Sequence, residues 1–230
     1  MKLKLVIFDC DGTLVDSQHA IQAAMQNAFG ALGLPAPARE DVRGVIGLSL
    51  PEAFAVLAAS HSAAAQAELA ALYRGGFMQS REDGKPHPDP LFPGMHAVVT
   101  HYAGRDDVVL GVATGKSRRG VARLLEREGW HAHFLTIQTA DDHPSKPHPS
   151  MILRAMDDAG VEPAATVMVG DTTYDIEMAR NARVGAVGVA WGYHAPEQLR
   201  LAGAHALADT ADTLCDVIDA RLTAQEQQHE

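Results

Sequence analysis

Short apolar runs of strand length recur along this chain with helical stretches between them, and that alternation restricts the fold more than any other feature. The runs are LKLVIFD (3–9), DVVLGVA (107–113), ATVMVGD (165–171) and VGAVGVA (184–190), with AHALAD (204–209) a weaker fifth. The first is rich in Val, Ile and Phe, and the others continue the apolar pattern without polar alternation, as in a strand covered on both faces. Between and after them lie GMHAVVTHYA, SRRGVARLLEREG, HPSMILRAMDDAG, TTYDIEMARNA and DTLCDVIDARL, all with helical spacing. Strand and helix in alternation predict an α/β fold with a parallel sheet, right-handed crossovers and helices on both faces. Ligands of such sheets gather at the carboxyl ends of the strands.

One segment breaks the alternation. Residues 16–88 contain no strand-like run; HAIQAAMQNAFGALG and SLPEAFAVLAASHSAAAQAELAALYRGGF are Ala-, Gln- and Leu-rich at helical spacing. The exit, EDGKPHPDPLFPG, is dense in Pro and Gly and reads as a linker, whereas the entry at LVDSQ is short. The expected organisation is therefore a Rossmann-like α/β core from residues 1–15 and 89–230, with an inserted all-helical cap over 16–88. A cap on two linkers can open and close above the sheet; extra helices packed rigidly on the core are the other reading.

With 230 residues, 47% of them hydrophobic, the chain suits one core of ordinary size plus a small module. A net charge of −10 offers no basic field for nucleic acid or an anionic membrane. No run approaches the ~20 apolar residues of a membrane span, and the apolar stretch of MKLKLVIFDC is cut by Asp9 before it reaches the length of a signal core. Cys10 and Cys215 lie far apart without metal-site or disulfide spacing, so a reducing cytoplasm is the expected compartment. A monomer or weak dimer is expected.

The first run ends in FDCDGT, with Asp9 and Asp11 two residues apart. In an extended strand positions i and i+2 share a side, which would put both carboxylates together and turn Cys10 into the core. Two such charges about 4 Å apart repel by roughly 4 kcal/mol at an effective dielectric of about 20. A bound cation would keep both ionised. Gly12 permits a turn and a close backbone approach to a ligand. Asp16 and Ser17 read either as helix caps or as catalytic groups. Thr114 and Gly115 follow the second run, where a hydroxyl and free N–H groups at a helix start can hold a phosphate. Lys146 sits among prolines in HPSKPHP, and its bond to Pro147 is a candidate cis peptide. Asp171 ends the third run and Asp175 follows one helical turn later on the same side.

FDCDGTLVDS, VATGKS, SKPHP and VGDTTYDIEMARNA, in that order, resemble the four motifs of the haloacid dehalogenase-like superfamily of phosphohydrolases. The helical insert is similar to that superfamily's small cap, and the whole is similar to its phosphoglycolate phosphatase-like members. The resemblance implies Asp9 as nucleophile and Asp11 as general acid/base. It implies that Thr114 and Lys146 hold the phosphoryl group, with Gly12, Thr13 and Gly115 lining its site. Mg²⁺ would be bound among Asp9, Asp11, Asp171 and Asp175, and the partner would be a small phosphorylated metabolite. The chemistry agrees, because an anionic nucleophile attacking an anionic ester needs its repulsion offset by cations.

Other readings are weaker. GKS at 115–117 lacks the glycine of a Walker loop, since position 110 is leucine. DCDG lacks the closing ligands of an EF-hand, and the histidines have no zinc spacing. A sugar-phosphate mutase would be expected to place a cap arginine near Leu50, although Arg43 lies upstream. A phosphonate-cleaving relative would need a cap lysine, and none precedes Lys85. A dehalogenase would need neither Asp11 nor the metal. A sugar-phosphate phosphatase or phosphomutase of the same superfamily and a non-catalytic phosphometabolite-binding protein remain as alternatives. Trp191 and Tyr193 either pack a loop or border the site.

Overall fold

A computed structural model of the chain describes residues 2–82 and 89–228. The six strands are β1 (Lys4–Phe8), β2 (Val108–Thr114), β3 (Phe134–Thr139), β4 (Thr166–Gly170), β5 (Gly185–Val189) and β6 (Ala206–Ala208). They form one parallel sheet in the order β3-β2-β1-β4-β5-β6. The α/β architecture expected from the alternating runs is therefore present. β3, with the sequence FLTIQT, is an additional strand that the apolar-run pattern does not reveal.

The sheet is buried on both faces because its strands alternate cleanly. In β1, Val6 and Phe8 join the cluster containing Val112, Leu125 and Leu214, while Leu5 and Ile7 join the cluster containing Met151, Met168 and Ile176. Leu5, Val6, Ile7 and Phe8 are fully buried, at about 1.5–3 kcal/mol each relative to exposure. A one-residue slip would exchange the two sets, so the register is firmly specified. The first face is covered by α5 (Met95–Ala103), α6 (Arg118–Glu128) and α10 (Ala211–Gln228), and the second by α7 (Ser150–Ala159) and α8 (Thr173–Asn181). A short helix, α9 (Pro196–Leu201), precedes β6.

Between β1 and β2 the chain forms α1 (Gln18–Ala31), α2 (Arg39–Val45), α3 (Leu50–Leu57) and α4 (Ala63–Glu82). These helices have their own apolar cluster, including Ile21, Met25, Phe29, Val42, Phe54 and Leu69, and Tyr193 from the sheet side packs into it. Residues 83–88 of the Pro- and Gly-rich exit, Lys85 among them, lie outside the described residues.

β1 occupies the middle of the sheet, with the chain running outward to β3 on one side and to β6 on the other. The carboxyl ends of β1, β2 and β4 therefore meet at the topological switch point, the usual ligand position in such sheets.

Candidate active site

Asp9 stands one residue beyond β1. Its N–H donates to the Val169 carbonyl at 2.9 Å, so the residue is held by a ladder-type bond although the strand ends at Phe8. Beyond it the Cys10 carbonyl accepts the N–H groups of Thr13, Leu14 and Val15. The chain turns here, and Asp9 and Asp11 are not successive same-side positions of a strand. Both still line one cavity, and Cys10 is buried in the core as expected. Gly12 has φ +94°, and a Cβ there would fall 2.1 Å from Asp171 Oδ2. The turn thus needs glycine for both conformation and space.

Lys146, 1% exposed, reaches this point across the sheet. Its Nζ donates to Asp9 Oδ1 at 2.7 Å and to Asp175 Oδ1 at 2.6 Å. The Lys146–Pro147 peptide is cis. Asp171 accepts at both carboxylate oxygens, from Thr13 Oγ1 at 2.8 Å and from the Tyr193 N–H at 2.9 Å. Asp175 lies in the first turn of α8, where its Oδ2 accepts from Thr172 Oγ1 at 2.7 Å within a capping box.

Asp9, Asp171 and Asp175 each present a ligand oxygen, all within 4.8 Å of one another, and all three residues are buried. Asp9 Oδ2 is buried without a hydrogen-bond partner. Burial, and then the Asp175 charge, push the Asp9 carboxyl up to about 6 against the pull of Lys146. Burial, followed by the charges of Asp175 and Asp9, raises the Asp171 carboxyl well above the usual carboxylate range. Burial opposes the charge on Lys146, yet Asp175 and Asp9 together hold its ammonium above the usual lysine range. Three buried carboxylates against one ammonium leave negative charge uncompensated, and the unpartnered oxygen belongs to that excess.

Asp11 is placed differently. Its Oδ1 accepts from Ser17 Oγ at 2.6 Å and from Lys116 Nζ at 2.5 Å, and it stands outside the three-carboxylate cluster. Ser17 precedes α1 but makes no side-chain cap bond, so its hydroxyl serves Asp11 rather than the helix. Sequence reasoning left Lys116 out of the site. The available signal was its place in VATGKS, immediately after the two residues expected to hold phosphate. Thr114 is buried at the end of β2, with its Oγ1 accepting the Lys116 N–H at 3.2 Å. Thr13 is fully buried with its hydroxyl on Asp171, which makes it a support for that carboxylate.

Trp191 Nε1 donates to the Thr13 carbonyl at 3.1 Å, and Tyr193 OH accepts the Ser17 N–H at 3.0 Å, so both aromatics border the site. The helices α1–α4 close over it. Arg43 donates to the Tyr193 carbonyl at 2.9 Å, Tyr174 OH donates to the Gly44 carbonyl at 2.8 Å, and the Ser49 N–H donates to Ser145 Oγ at 2.8 Å. Arg43 thus binds main-chain carbonyls of the sheet domain. A Cβ on Gly115 would lie 2.8 Å from the Gly47 and Leu48 carbonyl oxygens, so the two loops approach backbone to backbone. A cavity of about 440 Å³ remains, with Asp9, Asp11, Thr114 and Gly115 in its wall.

Comparison with known proteins gives the family and the fold. A family model described as haloacid dehalogenase-like hydrolase matches residues 6–189. The chain is 38% identical to a probable phosphatase, IndB, of Dickeya dadantii over 90% of its own length and 89% of the relative's. It is 28% identical to a phosphoglycolate phosphatase of Vibrio parahaemolyticus, over 94% and 96% respectively. A solved haloacid dehalogenase-like family hydrolase from Streptococcus pneumoniae superposes with a TM-score of 0.80 at 23% identity, covering 93% of this chain and 97% of that one.

Proposed function

The chain belongs to the haloacid dehalogenase-like hydrolase family and is one of its phosphatases, and from that premise we propose that it hydrolyses a small phosphorylated metabolite through an aspartyl-phosphate on Asp9. A 2-phosphoglycolate-like ester, carrying a carboxylate as well as the phosphate, is the leading substrate, in keeping with the phosphoglycolate phosphatase relative. The observation that supports this most is the unpartnered, buried Asp9 Oδ2 beside an ammonium and two further carboxylates.

The donor set fits Mg²⁺. It is all oxygen, buried, converging and short of positive charge. Asp9, Asp171 and Asp175 would hold the ion, together with a main-chain carbonyl near Asp11. When bound it would offset the repulsion between Asp9 and the phosphoryl oxygens.

The residues of the chain divide the remaining work. Lys146, the Thr114 hydroxyl and the Gly115 N–H hold the phosphoryl group. Asp9 attacks phosphorus, and the ester P–O bond breaks as Asp11 gives its proton to the departing alcohol. Asp11 then takes a proton from water, whose oxygen attacks phosphorus, frees phosphate and restores Asp9. Helices α1–α4, within residues 16–88, act as a cap that excludes bulk water during the cycle. A metabolite-sized site needs neither nucleic acid nor membrane, and no helix among the described residues is long and apolar enough to cross one.

The test is phosphate release from 2-phosphoglycolate and a panel of phosphometabolites by wild-type protein and Asp9→Asn in Mg²⁺. Wild-type turnover that disappears in the variant is expected. Equal turnover by the variant would remove Asp9 from its role, and binding of esters without any hydrolysis would turn the reading into that of a phosphometabolite-binding protein.

A further inference from the structure

The cavity above Asp9 is larger and more cationic than a two-carbon ester requires. At about 440 Å³ it falls within the ~300–1,000 Å³ range of pockets that enclose drug-sized ligands. One wall is a single face of α6 and the loop before it: Lys116, Arg119, Gly120 and Arg123, at spacings i, i+3, i+4 and i+7. Arg74 of α4 contributes to the wall formed by the helical insert, beside Met25 and Tyr73.

These cations are not equivalent. Lys116 is neutralised by Asp11, and a Cβ on Gly120 would lie 2.9 Å from Lys116 Cγ, so glycine there leaves room for the lysine stem to lie against α6. Arg123, by contrast, is half-buried and makes no ion pair or hydrogen bond with any described residue; Arg74 is exposed and likewise makes none. The acidic groups of the cavity are engaged elsewhere: Asp9 with Lys146, Asp11 with Lys116, and Asp141 with the Arg118 N–H at 2.8 Å. In a chain of net charge −10, an arginine facing a ligand-sized cavity without a carboxylate stands out.

We propose that Arg123, assisted by Arg74, is a specificity-determining residue that binds a second oxyanion of the substrate, a carboxylate or phosphate at the end of the molecule remote from the scissile ester. Arg123 lies five residues along α6 from its first residue, a rise of about 7.5 Å, so that second group must be separated from the ester by several bonds. 2-Phosphoglycolate is then the short member of the class, and the favoured substrates are longer esters whose carbon skeleton packs on Met25 and Tyr73. Guanidinium suits this role because its planar fork binds either oxyanion bidentately. The inference rests on the phosphatase reading above.

Two matched pairs of esters test it in Mg²⁺. 6-Phosphogluconate and glucitol 6-phosphate differ only by a terminal carboxylate in place of a hydroxymethyl group, and fructose 1,6-bisphosphate differs from fructose 6-phosphate by a second phosphate. Wild-type kcat/KM should favour the doubly anionic member of at least one pair by about tenfold or more, with the difference carried by KM. Which pair shows it distinguishes carboxylate from phosphate. In Arg123→Gln that preference should collapse, and Arg123→Lys should restore part of it. Should the glutamine variant fail to fold, the lysine variant alone should show a reduced preference. Flat ratios for both pairs in the wild type, or a preference undiminished in the variants, would overturn the subsite. If p-nitrophenyl phosphate is hydrolysed while the ratios are flat, only the subsite fails. If no ester is hydrolysed, the phosphatase reading fails with it.

Discussion

Lys146→Met is the most informative single perturbation, because it retains most of the stem's volume while deleting the one ammonium shared by Asp9 and Asp175. At the observed separations of 2.7 and 2.6 Å each pair is worth about 6 kcal/mol at an effective dielectric of about 20. Desolvation of three fully buried ions offsets much of that gain. Deleting one partner of a buried pair costs about 3–5 kcal/mol net, since the other charge stays behind unpaired. Here two carboxylates stay behind, next to Asp171. For a chain of 230 residues that cost corresponds to a fall of about 6–20 °C in Tm. The assay is thermal unfolding in EDTA at pH 8, repeated at pH 5, where the cluster takes up protons and the difference should shrink. Adding Mg²⁺ at pH 8 should recover part of the loss, because a divalent ion replaces the deleted charge. Turnover should fall by about 10²–10³-fold, the usual cost of losing one preorganised electrostatic donor. A Tm within about 2 °C of wild type in EDTA at pH 8, with no pH dependence of the difference, would refute the claim that Lys146 neutralises the cluster.

Asp11→Asn should slow the leaving-group burst from 2-phosphoglycolate by about 10²–10⁴-fold, and that from p-nitrophenyl phosphate visibly less, because a stable phenolate needs no proton; equal losses would withdraw the acid/base role. In EDTA, the Asp9 carboxyl at about 6 rather than 3.8 makes the native state the better proton binder. Its contribution of about 3 kcal/mol is therefore full below pH ~4 and lost as pH rises through ~6, a slope in Tm that Asp9→Asn should flatten. Activity should vanish in EDTA and return with Mg²⁺ but not with Ca²⁺, whose larger and looser shell disturbs the approach of Asp9 to phosphorus; full turnover after verified metal removal would contradict the mechanism. Gly115→Ala places a methyl 2.8 Å from two carbonyl oxygens of the facing loop. It should lower kcat/KM about tenfold by disfavouring the closed arrangement, with little change in Tm, and an unchanged kcat/KM would show that the loops need not meet.

Much of this protein was legible one segment at a time. The runs at β1, β2, β4 and β5 announce strands covered on both faces, because a sheet sandwiched between helices tolerates no polar alternation. Asp9, Asp11, Thr114 and Asp171 sit at or just beyond strand ends that the same pattern locates. β3 escaped because its buried positions include Thr136 and Gln138, which bond to Asp158, while Leu135 is 58% exposed. On that edge strand polar side chains occupy buried positions, where Asp158 of α7 satisfies them. Partnership was likewise a tertiary decision. Local spacing makes Asp9 and Asp11 look alike, yet Asp9 meets a lysine 137 residues away and Asp11 a different one 105 residues away. Ser17 looks like a helix cap until Asp11 is seen beside it, and Lys116 looks like a surface cation until Gly120 is seen making room for its stem. Short-range pattern determines which backbone forms, because propensity and burial act over a turn or a strand. Which charges share a buried site depends on strand order, which brings the ends of β1, β2 and β4 together and leaves each carboxylate facing whichever cation the neighbouring loop delivers.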